Sequence, residues 1–232
     1  MMAGESKDGN AAETRNSLTR NAYASLRRLI LDNEMKPGRR MFEQEVADFL
    51  NMSRTPVREA LIRLAEEGLV DVRPRRGMTV LPISAEDMRD IYDVVTSLEA
   101  TATELAIARG VNSAEIDLLN DAVDAMEAAL KVGDRTAWAK ADEDFHRNLV
   151  HLSRNKRLIS IVAGLWDQTH RARLATLSAR PLPVASASDH RDLVNAIRRG
   201  EAERAKALHA AHRNKVRDML VRLLAEAGPE QT

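Results

Sequence analysis

Residues Phe42 to Val80 read FEQEVADFLNMSRTPVREALIRLAEEGLVDVRPRRGMTV, and their hydrophobic spacing decides the fold of the amino-terminal part of the chain. Phe42, Val46 and Phe49/Leu50 recur at helical spacing, and a second apolar row follows at Val57, Ala60, Leu61 and Leu64. Two short helices therefore share one core across the break at Asn51-Met52. Asn51 suits the left-handed conformation that a sharp turn needs, Ser53 or Thr55 can cap the second helix, and Pro56 is tolerated in its first turn. Gly68 ends that helix. Leu69–Arg73 and Met78–Val80 are β-branched runs flanking Pro74-Arg75-Arg76-Gly77, which reads as a hairpin with a basic tip. Winding the second helix at 100° per residue turns Thr55, Arg58 and Glu59 away from the core, with Arg54 beside them at the positive helix end. Outward Arg and Thr at a helix start, next to a basic hairpin, suit docking on a nucleic-acid duplex better than they suit a plain solvated face.

Working outward, the first helix is expected over 18–33, with Tyr23, Leu26, Leu29, Ile30 and Leu31 completing the small core before Lys36-Pro37-Gly38 stops it. The polar run 1–17 reads as a flexible tail, the winged unit as 18–82, the second domain as 83–227 and 228–232 as a short tail. Pro82 and Ser84 mark the boundary, Ser84 serving as the next helix cap. The chain is formally neutral, with 35 basic and 35 acidic residues, so attraction to a polyanion must come from local placement. Residues 20–80 carry 12 Lys/Arg against 9 Asp/Glu, which gives the amino-terminal unit the right sign. With no cysteine, disulfides and thiolate metal sites are excluded. No run is apolar enough for a membrane span or a signal core, so a soluble, cytoplasmic protein is expected.

Beyond Ser84 the pattern is helical throughout, with breaks at Gly110, Gly133, Ser153-Arg154-Asn155, Pro181-Leu182-Pro183 and Gly200. Helices are expected over 84–109, 113–132, 134–152, 156–178, 186–199 and 201–226. The fold class is mainly α, a winged helix-turn-helix followed by an antiparallel bundle of about six helices. Aromatic residues make up only 3% of the chain, so its cores rest on aliphatic side chains. Polar residues interrupt three apolar rows of the bundle. Asp142 and His146 lie one turn apart beside Trp138, Ala141, Phe145 and Leu149; His190 precedes Leu193, Val194 and Ile197; His212 falls among Leu208, Val216, Met219 and Leu223. Burying such groups without partners costs several kcal/mol. Three imidazoles and one carboxylate from three helices suit a divalent ion, zinc foremost, with nickel or manganese as substitutes. The alternative is three separately satisfied core histidines. His170 and Arg173 share a face with Trp166 and Leu177, where they could grip an anionic ligand. His209 is a substitute ligand or a satisfied histidine, and His151 points elsewhere.

Two resemblances follow from these motifs. SRTPVREAL with EEGLV and RRG, over 18–81, resembles the winged helix of GntR-type bacterial transcription regulators. The resemblance implies that Ser53, Arg54, Thr55, Arg58 and the tip Gly77 contact an operator, with Gln44, Arg75 and Arg76 beside them. Gln44 stands where the fatty-acid-responsive member has an Arg, and Asn51 where Gly is usual. DEDFHRNLV and DHRDLVNAIRRGEAERAKALHAAHR resemble the FCD effector domain of the FadR branch, in its six-helix, vanillate-regulator-like subgroup. In metal-binding members the ligands match Asp142, His146, His190 and His212. Val95 stands four residues before Glu99 where that pattern has Arg. The resemblances imply a homodimeric, metal-containing regulator that reads an inverted-repeat DNA operator, expected as a repressor relieved by a small organic or aromatic acid. The alternatives are a metal-responsive regulator and, with less support, a metal-dependent enzyme.

Overall fold

The computed structural model describes residues 6–177 and 179–227, and its chain divides into two compact units, one reaching Ile83 and the other spanning Ser84–Glu226. The first unit contains α1 (Ser6–Leu31), β1 (Arg40–Met41), α2 (Glu43–Leu50), α3 (Arg54–Glu66), β2 (Val70–Arg73) and β3 (Gly77–Val80). Leu26, Ile30, Val46, Val57, Leu61, Leu64 and Met78 form its core. Asn51 takes the left-handed conformation, φ 53° and ψ 47°, and turns α2 into α3. The sheet order is β1-β3-β2, all antiparallel, with Val72 opposite Met78.

Three expectations need correction here. Residues 6–17 belong to α1 instead of a tail, because a helix already nucleated by its docked half extends at little cost through Ala11, Ala12 and Glu13. The expected tails at 1–5 and 228–232 lie outside the described residues. Phe42 and Phe49 are 56% and 55% exposed, so the core side of α2 is Val46 and Ala47, with Leu50 half-buried. Strand β1 was invisible because two residues carry no period. It explains Gly77, which has φ 74° and lies so close to β1 that a Cβ there would collide with the Met41 carbonyl oxygen.

The second unit is a bundle of α4 (Ala85–Arg109), α5 (Ser113–Lys131), α6 (Arg135–Leu152), α7 (Lys156–Thr176), α8 (Val184–Arg198) and α9 (Ala202–Ala227). Ser84 caps α4 by accepting from the Asp87 amide at 2.8 Å, and Asn112 with Glu115 forms a capping box on α5. Helix α4 packs on α6 and α7, while α5 packs on α6 and α8. Leu119, Val123, Met126, Phe145, Leu149, Val194 and Ile197 fill one continuous core. Among the described residues no helix is long and apolar enough to cross a membrane.

Candidate metal centre and DNA-reading surface

Helix α6 is set by Asp134, whose carboxylate accepts from the Ala137 amide at 2.9 Å, and by Trp138, Ala141, Phe145 and Leu149 facing the core. That orientation carries Asp142 and His146 inward, leaving them 3% and 1% exposed. Helix α8 buries His190 beside Leu193, Val194 and Ile197, and α9 buries His212. One donor atom from each of Asp142, His146, His190 and His212 lies within 4.8 Å of the other three. The four residues singled out from the sequence thus meet in one place.

The outer contacts decide which nitrogens face inward. The Nδ1–H of His190 donates to the Ser186 carbonyl at 2.6 Å, so its Nε2 presents a lone pair to the centre. Nδ1 of His212 lies 3.4 Å from the Asp189 carboxylate, an orienting contact of the same kind. His190 Nε2 and His146 Nε2 are 3.2 Å apart, and the nearer Asp142 oxygens lie 3.6 and 3.9 Å from these two nitrogens. Ligands about 2.0 Å from a tetrahedral zinc are roughly 3.3 Å from one another, so the residues fit a divalent ion of that size.

Burial, then Arg213, pushes the His146 imidazole well below its usual pKa, and burial, then His212, takes His190 to about 3. Both imidazoles are therefore neutral at physiological pH, the form in which a ring nitrogen can bind a metal ion. Burial also lowers His209, against the pull of its Glu99 partner. A histidine that stays neutral when folded but protonates near 6.5 when unfolded costs stability as pH falls below 6.5. Chelated protein is therefore expected to lose stability between pH 6.5 and 5, by at most about 1.4 kcal/mol per pH unit for each of His146 and His190. A melting temperature independent of pH over that range would contradict their buried, neutral state.

Sequence reasoning missed the ion network beneath the centre. Glu99 on α4 is fully buried, accepts from His209 Nε2 at 2.9 Å and from Arg213 Nε at 2.6 Å, and is also bonded by Arg213 Nη2. Burial opposes its ionisation, but Arg213 and His209 hold its pKa down at about 2. His209 therefore gives its Nε2 to Glu99, while its buried Nδ1 has no hydrogen-bond partner among the described residues; Glu99, His146 and His209 also offer donors within one 4.8 Å group. The signal available was Glu99 itself, a carboxylate on the apolar face of Tyr92, Val95, Ala102 and Ala106. Glu99→Ala is expected to destabilise the bundle by about 3 to 5 kcal/mol, because Arg213 and His209 would be left buried and unpaired. Denaturant unfolding checks this; a loss under about 1 kcal/mol would mean water enters the site freely.

The two expected effector residues line one small cavity with Glu143, His146, Trp166 and Arg213, about 10 Å³ in volume, the room of one water. Arg173 is half-buried there, its side chain 11% exposed, and paired with Asp142; His170 lies 3.2 Å from Glu143 and is about a third exposed. Val95 is fully buried, so α4 sends no cation inward at that point, and Arg213 of α9 supplies one.

In the first unit, Gln44, Ser53, Arg54, Thr55, Arg58, Arg75 and Arg76 are all exposed, and Gly77 is half-buried. Ser53 starts α3 in extended conformation without bonding its own helix, which leaves both its hydroxyl and the first-turn amides open. Glu59 departs from the outward row: it accepts from the Thr19 hydroxyl at 2.7 Å and ties α3 to α1. Arg75 holds φ 63° at the hairpin tip, and Arg40, Arg73, Arg75 and Arg76 line a groove of about 640 Å³.

Residues 18–80 match the bacterial regulatory proteins of the gntR family, and residues 90–215 match the FCD domain. The chain belongs to the GntR family of transcriptional regulators, with an FCD domain as its second unit. This GntR-family regulator is 45% identical over 131 residues to an uncharacterized HTH-type regulator of the TAR-I ttuE-ttuC' intergenic region in Agrobacterium vitis, covering 56% of this chain and 77% of that one. It is 31% identical over 198 residues to a protein of Paenarthrobacter nicotinovorans described as a D-xylose utilization operon repressor, covering 83% and 86% of the two chains. Its fold is that of E. coli McbR/YncC, with a TM-score of 0.72, 22% identity, and coverage of 88% and 97%. Members of the family bind DNA and regulate transcription; some relatives are named as repressors.

Proposed function

We propose that this GntR-family protein is a homodimeric repressor whose grip on an inverted-repeat operator is weakened by a small carboxylate bound at a zinc-type centre in the FCD domain. The supporting observation is the convergence of Asp142, His146, His190 and His212, with Arg173 and Arg213 set against the same centre. These four residues would hold the ion; its chemistry there is that of a cationic Lewis acid with positions left for water or a carboxylate. The protein's own part is electrostatic. Arg173 lies on Asp142 in the resting site and is placed to release it and grip an incoming carboxylate instead. Such an exchange biases the DNA heads only when the acid prefers one of their arrangements.

In the first unit, Ser53, Arg54, Thr55 and Arg58 would enter the major groove, with Gln44 flanking them. Arg75, Arg76 and Gly77 of the hairpin tip would meet the adjacent backbone or groove. Two such heads on a twofold axis read an inverted repeat.

The test is a thermal-melt screen of metal-loaded and chelated protein against small organic and aromatic acids. A ligand at a hundred times its dissociation constant adds about 2.7 kcal/mol, roughly 5 to 10 °C for a chain of this size. A rise that requires the metal is expected; no rise with any acid would contradict the reading. The narrowness of the cavity favours a second reading, in which the metal alone is the signal. Chelation alone would then change operator affinity.

A further inference from the structure

Three buried donors close to Arg173 have no hydrogen-bond partner among the described residues. They are the Tyr92 hydroxyl on α4, the Trp138 Nε1–H on α6 and Nη2 of Arg180, just beyond α7; the three residues are 0%, 5% and 5% exposed. Arg173 stands among them, its guanidinium carbon 5.9 Å from the Trp138 ring centre and its charge, with that of Asp142, acting on Arg180. The position of Arg180 is fixed from two sides. Its Nε donates to the Thr176 hydroxyl at 3.1 Å, and Arg135 donates to its carbonyl oxygen at 2.6 Å. It forms no ion pair with a carboxylate among the described residues. Burial, followed by the repulsion of Arg173, lowers it to about 10, so it remains a cation at neutral pH.

An indole N–H, a phenol and a guanidinium offer donors with no carboxylate to receive them, which is the inventory of an anion site. The charge balance points the same way. At the centre Arg173 pairs with Asp142 and Arg213 with Glu99, which leaves Arg180 as one positive charge in excess, and a divalent ion adds two more. A monocarboxylate would leave two of these unbalanced, a dicarboxylate only one; buried unbalanced charge is expensive.

We propose that Arg180, Tyr92 and Trp138, grouped around Arg173, form a second anion subsite, and that the effector is a dicarboxylate with one carboxylate at the metal centre and the other here. This rests on the carboxylate-sensing function proposed above. It makes Arg180 the residue that separates diacids from monoacids.

The experiment is calorimetric titration of the full-length zinc-loaded protein with propionate and with the length series malonate, succinate and glutarate. At least one diacid is expected to bind about 10-fold or more tightly than propionate, the range of one added charge-assisted contact. Arg180→Met should bring that diacid to the propionate level, leaving propionate binding and zinc content unchanged. Tyr92→Phe, which removes only a hydroxyl, should weaken the diacid several-fold and provides the test if Arg180→Met fails to fold. Diacids no tighter than propionate, or equal weakening of both classes by the substitutions, would overturn the subsite and leave the sensing function intact. Absence of any zinc-dependent carboxylate binding would sink both. Stabilisation of the metal-free protein by inorganic phosphate, lost in Arg180→Met, with no diacid preference, would assign the subsite to an inorganic anion and overturn the dicarboxylate.

Discussion

His212→Ala is expected to empty the metal centre while the bundle stays folded. The substitution removes one of three imidazoles, and the loss in affinity should exceed the roughly 10- to 100-fold that follows removal of an outer contact alone. Folding should survive because His212 sits at the rim of the site, near Asp189, whose side chain is 30% exposed. The core cluster that holds α5, α6 and α8 together does not include it. Metal content after dialysis and the circular dichroism spectrum separate the two effects. Unchanged stoichiometry would remove His212 from the centre. Loss of helicity along with metal would instead make the ion a structural staple. If the ion serves sensing, the variant should still bind the operator but no longer respond to acid.

The second large effect lies in the other unit. Arg58→Ala should abolish specific operator binding with metal content unchanged. Arg58 is exposed on α3, opposite Val57, Leu61 and Leu64, and no hydrogen bond or ion pair holds it among the described residues. Its loss should therefore change stability by under about 0.5 kcal/mol. A bidentate arginine-to-guanine contact is worth about 1 to 3 kcal/mol, and a dimer makes it twice, so operator affinity should fall by roughly 30-fold to 10⁴-fold. The salt dependence distinguishes base reading from phosphate contact. A base-reading Arg58 leaves the salt slope nearly unchanged, whereas a phosphate contact lowers it by about one per residue lost. Operator affinity within a few-fold of the unaltered protein would place the reading elsewhere on α3.

Much of this was legible in the chain because the informative residues act locally. Asn51 must bear a left-handed turn, Ser84 caps a helix within three residues, and Asp142 with His146 is a one-turn pair. What stayed hidden depends on contacts across distant segments. Glu99 is buried by partners more than a hundred residues away, His209 and Arg213, and no local period announces that pairing. On α9 the buried face is centred on Ala205, His209, Arg213 and Leu220, while Leu208, Val216, Met219 and Leu223 flank it half-buried. A helix rich in alanine and leucine all round leaves that rotation undetermined until its neighbours are in place. The exposed Phe42 and Phe49 show the same limit: apolar spacing says which residues share a face, and packing decides which face is covered.

The most direct measurement is operator affinity with and without metal, each with and without the acid giving the largest metal-dependent rise in melting temperature. Allosteric coupling of about 1 to 3 kcal/mol corresponds to a roughly 5- to 150-fold change. The expected result is that the acid weakens DNA binding within that range in the metal-loaded protein and has no effect after chelation. Equal operator affinity in all four conditions, or an acid effect that persists without metal, would contradict a metal-centred acid sensor.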